Sequence, residues 1–554
     1  MWMLLPWVAL AGIGENDNKE RPLTMFRFAS VQTRSQEEWR GTLKAFKENP
    51  KCCDEVWFSS GESMPPVAWH RDHCVVVKRA AEDMRQLGYG VSLQIEMTIG
   101  HGDNFPTEEE RRVFSKDWTG WTCVDGTECK YCNCPRQPGF IRRMAEVSAI
   151  YAQIKPDVVW IDDDLRTRNH YPATYAVVGC WCAKCLADFS AEEGVDWTRE
   201  KLAEAWKNDE KVRQRWLDFN ARSLGVVAAA ITRAVREVSP TTRMGLQMGF
   251  NAFRDHEVRV IARAMSVAAE GKISVRIGGG GYYDDNPILP LVKSQLMCEA
   301  RERLALDDCV DNWCTELETY PRAYGSRSAQ SVALESFTAI GWGLDTVSLF
   351  VMDRRSESDE FFSQFLLRPL VGINSFLNRY REANRQTVPA GFNCPLGESE
   401  AERSRLLCGI PVLHGHGVSW GEINPEREVI GGLGAGWGDL RKDLLPDWRK
   451  TPSAKIQVVR DFLSGNAPVV LKSPFVGYVL PRVTDAGELK NIGLVGTRLD
   501  PQYGIRIRVA TNARRSVWHE LGHADVEVEI QREGGAAYVV IPSIDAWNCG
   551  YLTF

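Results

Sequence analysis

Short apolar runs alternate with longer amphipathic segments from Arg21 to about Asn384. The runs are rich in β-branched and aromatic residues, which is typical of strands, and the longer segments have helical spacing. The runs begin at Thr24, Asp54, Gly90, Pro156, Arg243, Ile273, Asp311 and Thr346. Eight strand–helix units in succession predict a (β/α)8 barrel. An open doubly wound sheet usually has fewer units, and no G-x-G-x-x-G follows the first strand.

The pattern changes after Val388, where a strand such as Val469–Leu471 indicates a small α/β domain. Short alternating strands, for example Ile505–Val509, dominate from about Val476 onward and favour an antiparallel β-sandwich. The predicted fold is therefore of the α/β class. Its predicted parts are a (β/α)8 TIM barrel over residues 1–385, an α/β domain over 386–475 and a β-sandwich over 476–554.

The composition of the 554 residues, with 44% apolar and 25% charged, is that of a globular protein. The net charge of −6 and the lack of a long basic run argue against a nucleic-acid partner. No uninterrupted apolar run reaches ~18 residues, so no membrane span is expected. The apolar stretch Met1–Ala11 has no preceding Lys or Arg and contains Pro6. It favours a packed strand over a signal peptide, hence a cytoplasmic protein, with a secreted or periplasmic location as the alternative.

Carboxylates stand at the ends of two predicted barrel strands, the usual position of barrel active sites. On strand seven, spacing by two puts Glu316 and Glu318 on one face. Strand four ends in Asp162, Asp163 and Asp164, whose crowding would raise at least one pKa and suit a general acid. A carboxylate after strand four facing one on strand seven is the arrangement for glycoside hydrolysis. The structural alternatives are a salt-bridged barrel layer and a capping or metal-binding acidic turn.

Three cysteines, Cys180, Cys182 and Cys185, fall within six residues on the loop after strand four. Thiolates at this spacing are suitable Zn²⁺ ligands, and the fourth ligand must come from elsewhere. The loop after strand three offers Cys134 or Cys132. All-sulfur ligation predicts a structural zinc that joins two loops, and free or disulfide-paired cysteines are the alternative.

Other polar residues near the predicted strand ends are candidates for sugar binding. His101 ends strand three and is expected to hydrogen-bond sugar hydroxyls. Arg27 on strand one and Tyr282 or Tyr283 after strand six are expected near a catalytic carboxylate. Asp162, Asp163 and Glu316 are likewise expected to bind the sugar.

A second metal-binding pattern, His519-Glu-Leu-Gly-His523, has the spacing of zinc proteases. That motif requires a long helix, whereas the flanking residues have the alternating pattern of strands. The pattern therefore argues against a protease.

The sequence resembles the clan of retaining (β/α)8 glycosidases that includes the family 42 β-galactosidases. That family has a Trp-containing strand four ending in an Asn-Glu acid/base, a C-x-C-x-x-C zinc loop, and a nucleophilic Glu three residues before a Pro. In this sequence Trp160 lies on strand four, and Asp163 and Asp164 stand in the place of the Asn-Glu pair. The zinc loop corresponds to Cys180, Cys182 and Cys185, which Phe189 follows, and Glu318 stands three residues before Pro321. The family 164 β-mannosidases are similar in domain order. The departure is the acid/base, which is Asp here instead of Glu.

The resemblance implies a retaining exo-β-glycosidase that hydrolyses terminal β-galactosides or β-mannosides. Glu318 would be the nucleophile and Asp164, or alternatively Asp163, the acid/base. It also implies a structural zinc, no cofactor for catalysis, and a homotrimer. The alternatives are an inverting glycosidase, a metal-dependent hydrolase that uses the three Asp, and a catalytically inactive carbohydrate-binding or assembly protein of the same fold.

Overall fold

The computed structural model describes residues 21–61, 65–96, 98–100, 118–168, 179–249, 254–285, 287, 289–319, 326–351, 359–390, 392–394, 418–420 and 469–554. The stretch Met1–Ala11, His101, Pro321 and most of the range 386–475 lie outside these residues. The predictions made for them stay predictions.

Eight parallel strands close into a barrel, as the sequence pattern predicts, and each pairs with its neighbours in chain order. The strands are β1 (Thr24–Arg27), β2 (Glu55–Ser59), β3 (Gly90–Ile95), β4 (Val158–Ile161), β5 (Arg243–Gly249), β6 (Ile273–Gly278), β7 (Val310–Glu318) and β8 (Thr346–Phe350). β8 returns to β1, with Ser348 opposite Met25, so the barrel has no free edge.

Two tryptophans fill part of the barrel interior. The rings of Trp57 on β2 and Trp160 on β4 are stacked, with centroids 4.4 Å apart. A Cβ atom at Gly245 on β5 would lie 2.3 Å from the Trp160 ring, so only glycine leaves room for this indole. Met25, Val158 and Cys314 complete the cluster. These tryptophans are core residues, and they fill the barrel interior with packed side chains.

Helices cover the barrel. They are α1 (Gln36–Glu48), α2 (Val67–Gln86), α3 (Pro138–Ala152), α4 (Ala183–Glu193), α5 (Arg199–Asn208), α6 (Glu210–Val238), α7 (Asp255–Ala269), α8 (Leu289–Leu304), α9 (Ala329–Trp342) and α10 (Arg368–Ala383). A short helical segment, Asp359–Phe361, precedes α10, and a π-helical turn, Phe362–Leu367, lies between the two. This turn ends just before Pro369, which has no backbone N–H to continue the regular α-helical bonding. None of the helices in the described ranges is long and apolar enough to cross a membrane.

The C-terminal part is an antiparallel sheet, as predicted from about residue 476. Its strands are β9 (Val388–Pro389), β10 (Val469–Leu471), β11 (Gly477–Val483), β12 (Leu489–Gly496), β13 (Gln502–Val509), β14 (Arg515–Glu520), β15 (Val526–Glu533), β16 (Ala536–Ile544) and β17 (Cys549–Thr553). Their order is β9-β11-β12-β17-β14-β15-β16-β13-β10. The sheet therefore takes two short strands from the range predicted as the α/β domain.

The sheet and the barrel meet at α9. Arg482 of β11 donates a hydrogen bond to the carbonyl oxygen of Gly341 over 3.3 Å. A Cβ atom at Gly341 would lie 2.6 Å from Leu480, so the helix and the strand approach closely through glycine. Some residues of the C-terminal part belong to the barrel's hydrophobic core, namely Tyr478, Leu480, Val495, Leu521, Cys549 and Tyr551. Most other buried apolar residues of the sheet form a core of their own.

Candidate active site

Glu316 is held between two arginines near the carboxyl ends of the barrel strands. Arg276 on β6 donates to its Oε2 over 3.0 Å, and Arg27 on β1 donates to its Oε1. All three side chains are almost completely buried. Burial opposes the charge of Arg276, but the carboxylates of Glu316 and Asp163 outweigh it and raise the Arg276 pKa. Glu316 is thus part of a salt-bridged layer across the barrel, the structural alternative that the sequence left open.

Two glutamines extend this layer around the barrel. The side-chain oxygen of Gln94 on β3 accepts from Arg27 over 2.8 Å, and that of Gln247 on β5 accepts from Arg276 over 2.9 Å. The Gln94 amide donates to Asp162 over 2.9 Å, so the layer reaches the end of β4. Arg276 and both glutamines were not predicted from the sequence. Each is a polar residue inside an apolar strand run. That pattern indicates a shared polar layer only when the register of the strands is known.

Asp163 lies at the border of this layer. Its carboxylate oxygens are each 3.8 Å from a guanidinium, that of Arg276 on one side and that of Arg166 on the other. Its side chain is 23% exposed, whereas the Arg276 side chain is only 2% exposed. Asp163 therefore combines contact with the polar layer and access to solvent.

Asp164 is placed differently from its neighbour. It is fully buried, and its Oδ1 accepts from the Thr98 hydroxyl over 2.6 Å while its Oδ2 accepts from the Gly100 N–H over 3.1 Å. Burial raises its pKa to about 6, against the opposing effects of the Thr98 hydrogen bond and of Arg166. Both oxygens are engaged with the loop after β3, so Asp164 joins two loops.

Glu318 is the last residue of β7 and is half-buried. It lies opposite Phe350 on β8, two residues beyond Glu316 on the same face, as the strand period requires. Burial and the Glu318 charge raise the pKa of Tyr282, with smaller effects of Glu316 and Asp163. Glu318, Tyr282 and Asp163 thus share one electrostatic environment at the barrel mouth, and the neighbouring Tyr283 is exposed.

A buried ionic network lies behind β7 and was not predicted. Lys293 of α8 donates to the backbone oxygen of Glu316 over 2.9 Å and pairs with Glu335 of α9 at 2.5 Å. Arg327 pairs with the other Glu335 oxygen at 2.5 Å and donates to the carbonyl oxygen of Gly281. The network connects the strand that carries Glu318 to the segment before Tyr282.

Four of the five cysteines named from the sequence come together, and Cys132 is not among them. The sulfur atoms of Cys134, Cys180, Cys182 and Cys185 all lie within 4.8 Å of one another and are buried. The Cys134 sulfur is 3.4 Å from that of Cys185 and 3.7 Å from that of Cys182. These separations are far longer than a disulfide bond of ~2.05 Å. They match the edge of about 3.8 Å that tetrahedral Zn–S bonds of ~2.3 Å require.

The His519–His523 pattern is not on a helix. His519 belongs to β14 and pairs with Asp525, while His523 pairs with Asp545 over 2.8 Å. Glu520, His523 and Asp545 lie close together, but Glu520 already accepts the Asp545 backbone N–H. The protease geometry, with both histidines on one helix face, is absent from this described segment.

Neither a protein-family model nor a curated protein sequence matches the chain. Solved structures do match. α-L-Fucosidase isoenzyme 2 from Paenibacillus thiaminolyticus is 10% identical, with a TM-score of 0.59 over 97% of this chain and 100% of that one. A β-galactosidase from Bacillus circulans sp. alkalophilus is 10% identical, with a TM-score of 0.59 over 96% and 98%. A GH42 β-galactosidase from G. stearothermophilus is 9% identical, with a TM-score of 0.57 over 96% and 98%.

These structures span nearly the whole chain, so the chain has the fold of glycoside hydrolases of the family 42 type. The resemblance drawn from the sequence is confirmed at the level of fold, both for the barrel and for the C-terminal sheet.

Proposed function

We propose that the protein is a retaining β-glycosidase that acts on terminal β-galactosides or β-mannosides. The observation that carries the proposal is the pair of accessible carboxylates, Asp163 after β4 and Glu318 at the end of β7, around the Arg276–Glu316 layer. Two carboxylates that flank one cleft are the machinery of glycoside hydrolysis. The barrel fold, shared with β-galactosidases, supports the same class.

In this mechanism the Glu318 carboxylate attacks the anomeric carbon and forms a glycosyl–enzyme bond. The glycosidic C–O bond breaks, and the leaving oxygen takes a proton from Asp163. Asp163 then removes a proton from water, which displaces Glu318 from the sugar. We assign the proton transfer to Asp163 because both oxygens of Asp164 are used within the fold. Glu316, bridged by two arginines, positions the layer beneath the sugar.

The test is release of nitrophenol from a panel of aryl glycosides that includes β-galactoside, β-mannoside and α-L-fucoside. We expect turnover of one β-glycoside, loss of at least about 10³-fold in Glu318→Gln, and unchanged turnover in Glu192→Gln, an exposed control on α4. NMR of the first-formed anomer decides the stereochemistry. Retention supports the double displacement, and inversion would replace it with the single displacement of an inverting enzyme.

A second candidate function is a catalytically inactive carbohydrate-binding protein. It is favoured by one observation, that Asp164, which stands in the family's acid/base place, is buried and hydrogen-bonded. It predicts that a sugar from the panel binds without turnover. Calorimetric titration with the free sugars, run beside the nitrophenol assay, separates the two functions.

The four-cysteine cluster fits a structural zinc, and we propose that Cys134, Cys180, Cys182 and Cys185 hold it. The zinc would fix the loop after β3 to the start of α4, with no role in bond breaking.

A homotrimer is likewise a proposal that rests on the family resemblance. Light scattering of the purified chain measures its mass, and a monomer would contradict it.

A further inference from the structure

The turn after β4, which carries Asp163, is held by the start of α7. Arg254 immediately precedes α7, and its guanidinium donates a hydrogen bond to the carbonyl oxygen of Leu165 over 3.2 Å. It donates a longer one to the carbonyl oxygen of Asp163 over 3.5 Å. One side chain from the segment after β5 thus contacts the backbone of this turn at two points.

Glu257, in the first turn of α7, holds the same segment at its other end. Its Oε1 accepts the backbone N–H of Thr167 over 2.8 Å, and its Oε2 accepts the Thr167 hydroxyl over 3.1 Å. Its carboxylate also lies 3.9 Å from the Arg254 guanidinium. Residues 163–167 are therefore fixed by two neighbouring side chains at one helix end.

The same turn is also held from the side of β3. The Asp164 carboxylate accepts hydrogen bonds from the Thr98 hydroxyl and the Gly100 N–H, both in the loop after β3. Since β4 lies between β3 and β5 in the barrel, the turn is anchored from both of its neighbours. The Asp163 side chain keeps its access to solvent.

Burying the Arg254 charge is energetically costly. The residue is only 4% exposed, and burial lowers its pKa. The Glu257 carboxylate opposes this effect, and those of Asp163 and Asp164 do so to a smaller extent. A buried cation needs such compensation, so Arg254 is coupled to the carboxylates of the turn as well as to its backbone.

We propose that Arg254 and Glu257 are positioning residues that set the place of Asp163, an inference that rests on the proposed acid/base role of Asp163. Aspartate is one methylene shorter than the glutamate of the family 42 pattern, so its carboxyl depends more on the placement of the backbone. A general acid must lie within hydrogen-bond reach of the leaving oxygen, and a displacement of about 1 Å can cost about 10²-fold in rate. The contacts to residues 163–167 supply this placement.

The test compares kcat/KM for phenyl and dinitrophenyl glycosides of the sugar that the panel identifies. In Arg254→Gln we expect a fall of about 10–10²-fold for the phenyl glycoside, whose leaving group needs a proton, and of less than about threefold for the dinitrophenyl glycoside. Arg254→Lys keeps the charge without the planar fork of donors, so it should recover only part of the phenyl rate.

Arg259→Gln is the matched control, because Arg259 lies on the same helix but donates to the carbonyl oxygen of Arg303, outside the turn. It should leave both rates unchanged. If the melting temperature shows that Arg254→Gln does not fold, Thr167→Val takes its place, since it removes only the hydroxyl that donates to Glu257. It should lower the phenyl rate selectively, by about two- to fivefold.

The double variant Asp163→Ala/Arg254→Gln separates positioning from a general loss of structure. If Arg254 acts through Asp163, adding Arg254→Gln to Asp163→Ala should lower the phenyl rate no further. A further fall in the double variant, or an equal fall for both glycosides in the single variant, overturns the positioning role and leaves the proposed function in place. A folded parent chain that hydrolyses no glycoside of the panel instead overturns the proposed function, and the positioning role with it.

Discussion

At the residue scale, the adjacent Asp163 and Asp164 have different surroundings, since Asp163 is partly exposed and Asp164 is fully buried. Their roles can therefore be tested separately. Replacing Asp163 by Ala should remove proton donation, so hydrolysis of substrates with poor leaving groups should fall by about 10²–10⁴-fold while activated aryl glycosides lose much less. Replacing Asp164 by Ala should lower stability but leave this leaving-group dependence unchanged. Rates against leaving-group pKa for both variants measure the difference. A steeper dependence in Asp164→Ala than in Asp163→Ala would return the acid/base role to Asp164.

The buried carboxyl of Asp164 also predicts a pH effect on stability. Its pKa is about 6 in the fold and about 3.9 when unfolded, so the folded state binds the proton more tightly. The contribution of this raised pKa to the free energy of unfolding is fully present below about pH 4 and is lost as the pH rises through about 6. Urea unfolding of the parent and of Asp164→Asn should therefore show the parent losing about 3 kcal/mol relative to the variant over this window.

A control of opposite sign is Asp188→Asn. Asp188 is half-buried, and burial by itself would raise its pKa, but the cations Arg136 and Lys184 outweigh that effect and lower the pKa. The stability that Asp188 contributes is present above the unfolded pKa and is lost on acidification. The free energy of unfolding of Asp188→Asn should therefore fall relative to that of the parent as the pH rises. A stability difference between the parent and Asp164→Asn that stays constant with pH would contradict the assignment of a raised pKa.

The inward face of β7 was predictable at this scale because a strand has a period of two. Asn312, Cys314, Glu316 and Glu318 share one face from spacing alone. Their partners were not predictable. Arg276 reaches Glu316 only because the register of β6 and β7 places it beside Cys314, and register depends on the packing of the whole barrel.

At the scale of elements, the Lys293–Glu335–Arg327 network ties α8 and α9 to β7. Replacing Lys293 by Met leaves one Glu335 oxygen and the Glu316 carbonyl without their donor, so the free energy of unfolding should fall by about 3–5 kcal/mol. Urea unfolding measures this loss. Lys44→Met, which removes an exposed pair on α1, should cost less than about 1 kcal/mol.

A double variant distinguishes a buried charge from simple packing. Arg327 still pairs with Glu335 when Lys293 is replaced, so coupling between the two sites should appear as a loss of stability in Lys293→Met/Glu335→Gln that is smaller than the sum of the two single losses. Purely additive losses would show that the ion pair itself contributes little.

The barrel elements were predictable because each strand–helix unit carries its own periodicity. The π-helical turn Phe362–Leu367 was not, because its residues keep helical spacing and only the bonding pattern changes. The hairpin of Gly120–Thr122 with Glu128–Asn133, inserted after β3, was also missed. Its strands are short, and their polar sequence has no clear alternation.

At the scale of the whole molecule, the cysteine cluster joins segments that are remote in sequence. Elemental analysis should find one zinc per chain, and Cys185→Ser should reduce both zinc content and melting temperature. Cys298→Ser, a buried cysteine of α8 outside the cluster, is the control and should retain the metal. A strong chelator should inactivate the protein only as slowly as it unfolds. Immediate loss of turnover would instead favour the metal-dependent hydrolase that the three aspartates suggested.

The stacked indoles of Trp57 and Trp160 have an optical consequence. Two indole rings at 4.4 Å and an interplanar angle of 25° couple their electronic transitions, which splits the ultraviolet circular dichroism band into a couplet of opposite signs. The two residues come from β2 and β4, so the couplet exists only while those strands are held within one closed barrel. A second tryptophan pair, Trp181 and Trp216 at 5.0 Å, contributes to the same spectral region, so the part of the couplet that is lost in Trp57→Phe is the part that reports barrel closure.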